Sequence, residues 1–440
     1  MLTQTQQRIE AITRHVRRSP LYPRQGRLQS INGPTITVGL SGIGVGDICE
    51  VDHKSGTPIL AEVTALAQSN AILTPLTTTT GLRVGALVRA SERALSVPVS
   101  EALLGRVVDA FGMPIDALAP LPPAAQHRFI KAEAPSAMTR PLVDSPMLTG
   151  VNAIDGCLTL AQGQRVAVFG PPGTGKSTLL AGIAHGATAD VIVIALVGER
   201  GREVREFIDR DLDAVAREKV VIVAATSDRT AIERALCAQT ATAIAEYFRD
   251  TGKSVLLMVD SLTRTARALR EIGLSAGEAP TRRGYPASVY PALPALIERS
   301  GRAEKGDITA VYTVLVENGG QGDPIAEEVR SLTDGHIVLS QKLAETGQFP
   351  AIDVLESLSR IMPAVTDDRH RTAARRMRQL LAKFAEVELL VQIGEYEAGS
   401  DPEADAAIAA MPAIRRYLSK MPGKGATLSM TVNALRRVTQ

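Results

Sequence analysis

The sequence predicts a multidomain α/β chain with three parts: a small N-terminal β-barrel, a central domain on a parallel sheet, and a helical C-terminal domain. Three observations carry that prediction. From Gly26 to about Ala90, short β-rich runs are separated by Gly, Pro, Asn and Ser at roughly ten-residue spacing. Apolar, β-branched runs then alternate with helical patterns up to Leu339, as in a parallel sheet buried on both faces. Beyond about Asp367 only helical periodicity remains. At about 150 residues per domain, the 440 residues accommodate three such pieces.

The first segment, residues 1–25, places Ile9, Ile12 and Val16 at helical spacing with Arg14, Arg17 and Arg18 among them. This is a short amphipathic helix, either a plain terminal helix or a surface that meets a membrane or a partner. The barrel domain spans 26–92, with strands expected at Leu28–Ile31, Thr35–Leu40, Ile48–Asp52, Ile59–Leu66 and Ala71–Leu76. Seven of the 25 prolines fall between Pro114 and Pro146, which predicts an extended crossover with little helix. The central domain, 93–365, should place strands at Arg165–Phe169, Val191–Val197, Val220–Ala224, Val255–Val259, Ile308–Val314 and Ile337–Leu339. Helices are expected from Lys176, near Glu203 and over Ala231–Asp250. In the helical domain, 366–440, Leu380, Leu381, Phe384, Val387 and Val391 mark one helix face.

Composition narrows the partners. Forty-nine basic against 47 acidic residues leave a net charge of +2, so the uniform field of a dedicated polyanion binder is missing. Aromatics make up 3% with no Trp, and residues 26–90 contain no Phe, Tyr or Trp, which leaves nucleic acid without a stacking platform. Cys49, Cys157 and Cys237 are too few and too far apart for a disulfide framework or a CxxC metal site, and suit a reducing cytoplasm. The six histidines show no ligand spacing. Apolar runs such as Val191–Val197 stop well short of the roughly 18 residues of a membrane span.

The strongest chemical signal is Gly170-Pro171-Pro172-Gly173-Thr174-Gly175-Lys176-Ser177, a full match to the phosphate-loop pattern, placed between a strand and a helix as the mechanism requires. Its glycines let backbone N–H groups curl around phosphate oxygens, and the helix N-terminus adds partial positive charge over a cradle reaching Thr178. Lys176 supplies a point charge and Ser177 is the expected Mg²⁺ ligand. Asp260 ends the apolar strand Val255–Val259 and is expected on the metal side, through bound water. Glu199 and Arg200 follow the strand Val191–Val197, beyond whose carboxyl end ligands gather in an α/β sheet. There a carboxylate can orient the attacking water and a guanidinium can neutralise the transferring group; a solvated charged loop is the competing reading.

Four ordered motifs together resemble the type III protein-export ATPases, relatives of the catalytic subunits of rotary ATP synthases. They are the phosphate loop, Gly198-Glu199-Arg200-Gly201-Arg202-Glu203-Val204, Asp260-Ser261-Leu262-Thr263-Arg264 and Asp334-Gly335-His336-Ile337-Val338-Leu339-Ser340. The resemblance runs from roughly Gly26 to Glu397 and includes Glu101–Asp109 and Phe349–Asp353. Ala225–Arg229, Arg302–Gly306 and Glu328–Leu332 look more like the virulence-associated injectisome branch than the flagellar one.

The resemblance implies a RecA-like nucleotide domain and a Mg²⁺-dependent ATPase acting as a homohexamer. It further implies Glu199 as the catalytic glutamate, Arg200 and Arg264 around the phosphates, and Glu203 near the metal's water shell. Arg360 matches an arginine that reaches into a neighbouring subunit's site, and Phe349 an aromatic that packs on adenine; without the resemblance Phe349 reads as core. Implied partners are a central stalk, a peripheral stator or regulator, export-gate membrane proteins and chaperone–cargo complexes, at the inner face of the bacterial inner membrane. Two departures from the family pattern stand out: Asn318-Gly319-Gly320-Gln321-Gly322 where acidic residues are usual, and Thr265 where Tyr is frequent. A rotary synthase subunit would need a second partner sequence in its ring, and a Rho-type RNA translocase would need the absent aromatics. The basic run Arg369, His370, Arg371, Arg375, Arg376 and Arg378 is left as either a solvated helix face or a docking surface.

Overall fold

The computed structural model describes residues 24–67, 70–91, 94–123, 126–316, 322–421 and 427–440. The expected N-terminal amphipathic helix and residues 318–321 of the Asn318–Gly322 departure therefore lie outside the described residues. The chain forms two compact units, one running up to Leu95 together with Ser275–Gly277, the other made of Ser96–Leu274 and Glu278–Gln440.

The first unit is a closed barrel of β1 (Gln25–Asn32), β2 (Thr35–Gly39), β3 (Ile48–Val51), β4 (Ile59–Ala67), β5 (Asn70–Pro75) and β6 (Leu87–Ser91), in the order β1-β2-β5-β4-β3-β6. Leu28, Ile36, Val38, Val51, Val63, Leu73 and Val88 alternate inward and fill it. Five strands follow the sequence expectation. The sixth, which closes the barrel and removes its free edges, buries only Val88 fully, so it carries almost no alternation signal.

The second unit begins with β7 (Ser96–Val99), β8 (Val107–Val108), β9 (Gln126–Phe129), β10 (Pro146–Met147) and β11 (Leu160–Ala161). Then come β12 (Arg165–Gly170), β13 (Val191–Val197), β14 (Val220–Ala225), β15 (Ser254–Asp260), β16 (Gly301–Arg302), β17 (Asp307–Leu315), β18 (Gly335–Leu339) and β19 (Ile352–Ser359). The central sheet runs β19-β18-β12-β17-β15-β13-β14-β8, with β16 on β17. Six of its strands are the expected parallel ones, and β13, β14 and β17 are buried along nearly their whole length, which is why they read as continuous apolar runs. The pattern did not reveal β19, an antiparallel edge strand whose Leu355 and Leu358 face outward. The proline-rich crossover is extended, as expected, apart from one 3₁₀ turn at Ala137–Thr139.

The C-terminal region is helical: α6 (Asp368–Ile393), α7 (Pro402–Leu418) and α8 (Leu428–Thr439), preceded in the sheet region by α1 (Asn152–Cys157), α2 (Lys176–Gly186), α3 (Gly201–Glu206), α4 (Ala231–Asp250) and α5 (Leu262–Ser275). The basic run at the start of α6 is not simply a solvated face. His370 is buried with Nε2 at 2.8 Å from the Gly156 carbonyl, Arg376 pairs with Glu403 at 2.7 Å and Arg378 donates to the Ser357 carbonyl at 2.8 Å. Arg369 and Arg375 alone in the run are exposed. All three cysteines are buried free thiols, and burial pushes Cys157 up to about 12. No helix among the described residues is long and apolar enough to cross a membrane.

α1 joins these parts. Asn152 Nδ2 donates to the Tyr417 carbonyl at 3.1 Å, and a Cβ on Gly156 would lie 2.1 Å from the Tyr417 hydroxyl. Just before α1, Gly150 meets Gly186 at the far end of α2: a Cβ on Gly186 would come within 2.6 Å of both Gly150 Cα and the Thr149 carbonyl. Asp155 holds that turn, accepting from Thr149 N at 2.8 Å and Gly150 N at 3.0 Å. Helix propensity alone would make Gly186→Ala stabilising by about 1 kcal/mol. The backbone contact reverses the sign: Gly186→Ala should destabilise the protein by about 1–3 kcal/mol in chemical denaturation, because backbone cannot swing aside as a side chain can.

Candidate active site

The phosphate loop leaves β12 at Gly170 and enters α2 at Lys176. Gly173 and Gly175 sit at φ of 83° and 82°, which only glycine adopts without strain, and this lets the loop turn its N–H groups inward. Thr174 Oγ1 donates to the Pro171 carbonyl at 2.8 Å and closes the turn. Lys176 is buried, and its Nζ donates to the carbonyls of Gly170 at 2.9 Å and Pro171 at 2.7 Å. Burial pulls its pKa down to about 8, against the opposing pull of Asp260 and Glu199. Ser177 and Thr178 lie exposed on the first turn of α2.

Asp260 ends β15 level with Leu196 of β13 and is 4% exposed. It accepts a hydrogen bond from Thr313 Oγ1 at 2.6 Å. Burial raises its pKa, while the Thr313 hydroxyl and the charges of Lys176 and Arg264 oppose the rise.

Glu199 follows Gly198, itself at φ 66°, directly beyond β13. Its carboxylate lies 3.1 Å from Arg264 Nη2, and Arg264 also donates to the Gly198 carbonyl, so one guanidinium fixes the turn and its acid together. Burial first, then the Asp260 charge, pushes Glu199 up to about 8. Glu199 and Glu203 share a hydrogen bond. Against its own burial, Glu203 is held below the usual carboxylate range by that bond and by Arg200, whose Nη1 is 3.2 Å from Glu203 Oε1. The Arg200 side chain is 75% exposed.

Phe349 lies between β18 and β19 and is 46% exposed, so the core reading of this residue does not hold. Its ring rests on the phosphate loop: a Cβ on Gly175 would meet it at 3.2 and 3.3 Å. The ring thus offers a free apolar face beside the phosphate cradle.

Lys176, Ser177, Glu199, Arg200, Glu203, Asp260 and Phe349 therefore gather around the carboxyl edge of the sheet, but Arg360 does not. Ser359 pairs with Gly335 at the start of β18, and the Arg360 N–H donates to Asp334, whose carboxylate accepts from Arg165 N at the start of β12. Arg360 is exposed there, and at ~3.3 Å per residue the length of β12 puts it roughly 16 Å from its own phosphate loop.

The hydroxyl of Ser177 and the carboxylates of Asp260 and Glu203 are hard oxygen donors. That chemistry suits Mg²⁺, which takes few protein ligands and completes its shell with water and substrate phosphates. Among the described residues no group of three or more His, Cys, Asp or Glu forms a cage of its own. The sequence reading missed Thr313, because only the adjacency of β15 and β17 brings it beside Asp260. Thr265, at the second departure, is buried with Oγ1 on the Ser261 carbonyl at 3.1 Å.

Comparison with known proteins gives the family and the fold. Residues 28–92 match the beta-barrel domain of the ATP synthase alpha/beta family and 150–359 its nucleotide-binding domain, while 366–437 match the T3SS EscN ATPase C-terminal domain. The type 3 secretion system ATPase of Sinorhizobium fredii is 47% identical over 94% of this chain and 92% of its own. The chain belongs to the type 3 secretion ATPase family. The SPI-2 type 3 secretion system ATPase of Salmonella typhimurium is 51% identical over 90% of each chain. The assembled ATPase EscN from enteropathogenic E. coli, solved in complex with its central stalk EscO, superposes with a TM-score of 0.87 at 44% identity, over 94% of this chain and 100% of that one.

The elevated Glu199 pKa carries a stability consequence. A carboxyl raised above its ordinary 4.5 to about 8 contributes stability fully present below the ordinary value and lost as pH rises through about 8. Nucleotide-free Glu199→Gln should therefore melt above wild type at about pH 9, by roughly 2–4 °C per kcal/mol relieved. The difference should close as the pH approaches 4.5 in a calorimetric series.

Proposed function

We propose that ATP hydrolysis to ADP and phosphate, the reaction of this family, runs at sites between subunits of a homohexameric ring and energises type III protein secretion by releasing chaperones from export cargo and unfolding it. The observation that carries this reading is the separation within one copy: cradle, Lys176, Glu199 and Asp260 lie at one edge of the sheet, and Arg360 is exposed at the other.

The chain's own residues divide the work. Backbone N–H groups from Gly173 to Thr178 and the Lys176 ammonium take the β- and γ-phosphates, in exchange for the loop carbonyls that Lys176 now contacts. The exposed face of Phe349 receives the adenine ring. Glu199 orients the attacking water and accepts its proton; burial gives it the proton affinity a base needs near neutral pH, and Arg264 at 3.1 Å keeps the ionised form within reach. Arg200, held toward Glu203, faces charge on the transferring group. Mg²⁺ held by Ser177, and through water by Asp260 and Glu203, would neutralise phosphate charge. Arg360 of the adjoining copy stabilises the charge that grows in the transition state, a contribution of about 10³–10⁵ in rate for such arginines.

A central stalk, a peripheral stator or regulator, export-gate membrane proteins and chaperone–cargo complexes complete the proposed assembly. It would sit at the cytoplasmic face of the bacterial inner membrane, with the N-terminal segment as a candidate membrane contact. The likeness to an assembled ATPase solved with its central stalk supports the first of these partners.

Two measurements test the proposal. Glu199→Gln should keep its affinity for ATP while phosphate release falls about 10²–10⁴-fold, since an amide cannot accept the proton; normal turnover would refute the role. Rings mixed from Arg360→Ala and Glu199→Gln chains should recover part of the activity that each lacks alone, because some interfaces then join an intact acid to an intact guanidinium. No recovery in proven mixed rings would place Arg360 within its own site.

A further inference from the structure

Thr313 is a buried hydroxyl near the carboxyl end of β17, a strand buried along all but its last residue. It lies in β17 beside Val311 and Val314, at 0% exposure. Such a group costs free energy unless it is hydrogen-bonded, and its Oγ1 has two acceptors in reach: the Val259 carbonyl at 3.3 Å and Asp260 Oδ1 at 2.6 Å. It has one proton to give. The shorter contact is the charge-assisted one and takes it.

This is the only hydrogen bond received by the Asp260 carboxylate among the described residues, so Oδ2 is left without a protein donor. The terminal torsion of an aspartate is broad and roughly two-fold, so the backbone alone does not decide which oxygen faces where. A buried donor on one oxygen does decide it. The backbone that carries the donor is tied to that of Asp260, because β15 and β17 are adjacent parallel strands with Val259 opposite Tyr312.

We propose that Thr313 is a positioning residue for the nucleotide-bound Mg²⁺: by holding Asp260 Oδ1 it fixes the carboxylate so that Oδ2 stays presented to the water shell of the cation. This rests on the assignment of Asp260 to the metal side. Hydrogen bonds that orient direct metal ligands hold metal affinity at the level of about 10–100-fold, and a bond acting through a water-linked carboxylate is expected at the lower end, about tenfold.

Thr313→Val keeps the β-branched shape that fits the strand and deletes only the hydroxyl; Thr313→Ser keeps the hydroxyl. With the full chain and a fluorescent ADP analogue as probe, nucleotide binding is titrated against MgCl₂ and repeated in EDTA. The expected result for Thr313→Val is a half-saturating Mg²⁺ concentration raised about tenfold with unchanged affinity in EDTA, while Thr313→Ser stays near wild type. Asp260→Asn serves as the reference and should lose most of the Mg²⁺-dependent gain in affinity. A wild-type Mg²⁺ titration for Thr313→Val beside a defective Asp260→Asn would overturn the positioning role and leave the metal-side assignment standing. A wild-type titration for Asp260→Asn would remove that assignment, and the role of Thr313 with it. Weaker binding by Thr313→Val in EDTA to the same extent as in Mg²⁺ would show a purely structural hydroxyl and overturn the proposal.

Discussion

Leu196 stands opposite Asp260, Val259 opposite Tyr312 and Gly170 opposite Leu315. This register of four neighbouring parallel strands is the constraint on which the site depends, because it ends β12, β13 and β15 at one edge and delivers the phosphate loop, Glu199 and Asp260 to one place. The strands are buried on both faces, so a slip of one residue would turn every Val and Ile of a strand to the opposite side of the sheet. The packing that stabilises the sheet is therefore the same packing that positions the chemistry.

What that edge collects is electrostatically unfavourable by itself. Three carboxylates, Glu199, Glu203 and Asp260, share a partly dehydrated space, and burial raises the proton affinity of both Glu199 and Asp260. Lys176, Arg264 and Arg200 answer them. The fold tolerates this because the residues that fix the geometry lie just behind it: Thr313 on Asp260, and Arg264 on both Gly198 and Glu199. At the far end of α2, the Gly150–Gly186 contact and the α1 bonds to Tyr417 and His370 tie the phosphate-loop helix to the C-terminal helices.

Contiguous features were legible in the sequence. The phosphate loop needs only its own eight residues, and the buried strands announce themselves as apolar runs bounded by turns. What the sequence hid depends on pairing across long separations. The barrel's closing strand β6 shows little alternation because only Val88 is fully buried, and β19 reads as mixed because its edge position leaves Leu355 and Leu358 in solvent. Phe349 reads as core by hydrophobicity, yet it is half-exposed, with its ring edge against a glycine of the phosphate loop and the rest left to solvent. The basic run looked like a solvated face or a docking surface because nothing local shows that Gly156, Ser357 and Glu403 would supply its acceptors. Thr313 and Asp260 are likewise neighbours only once β15 lies beside β17.

The position of Arg360 has a consequence for economy. Arg360 follows the strand end at the far rim of the sheet; if it serves a neighbour as proposed, a solitary copy that picks up nucleotide would hold it in a pocket lacking one wall. On the proposed reading, stray molecules would idle, and fuel would be consumed only where copies have closed into a ring, so that the geometry of a single strand end works as a safeguard against wasteful turnover away from the export machinery.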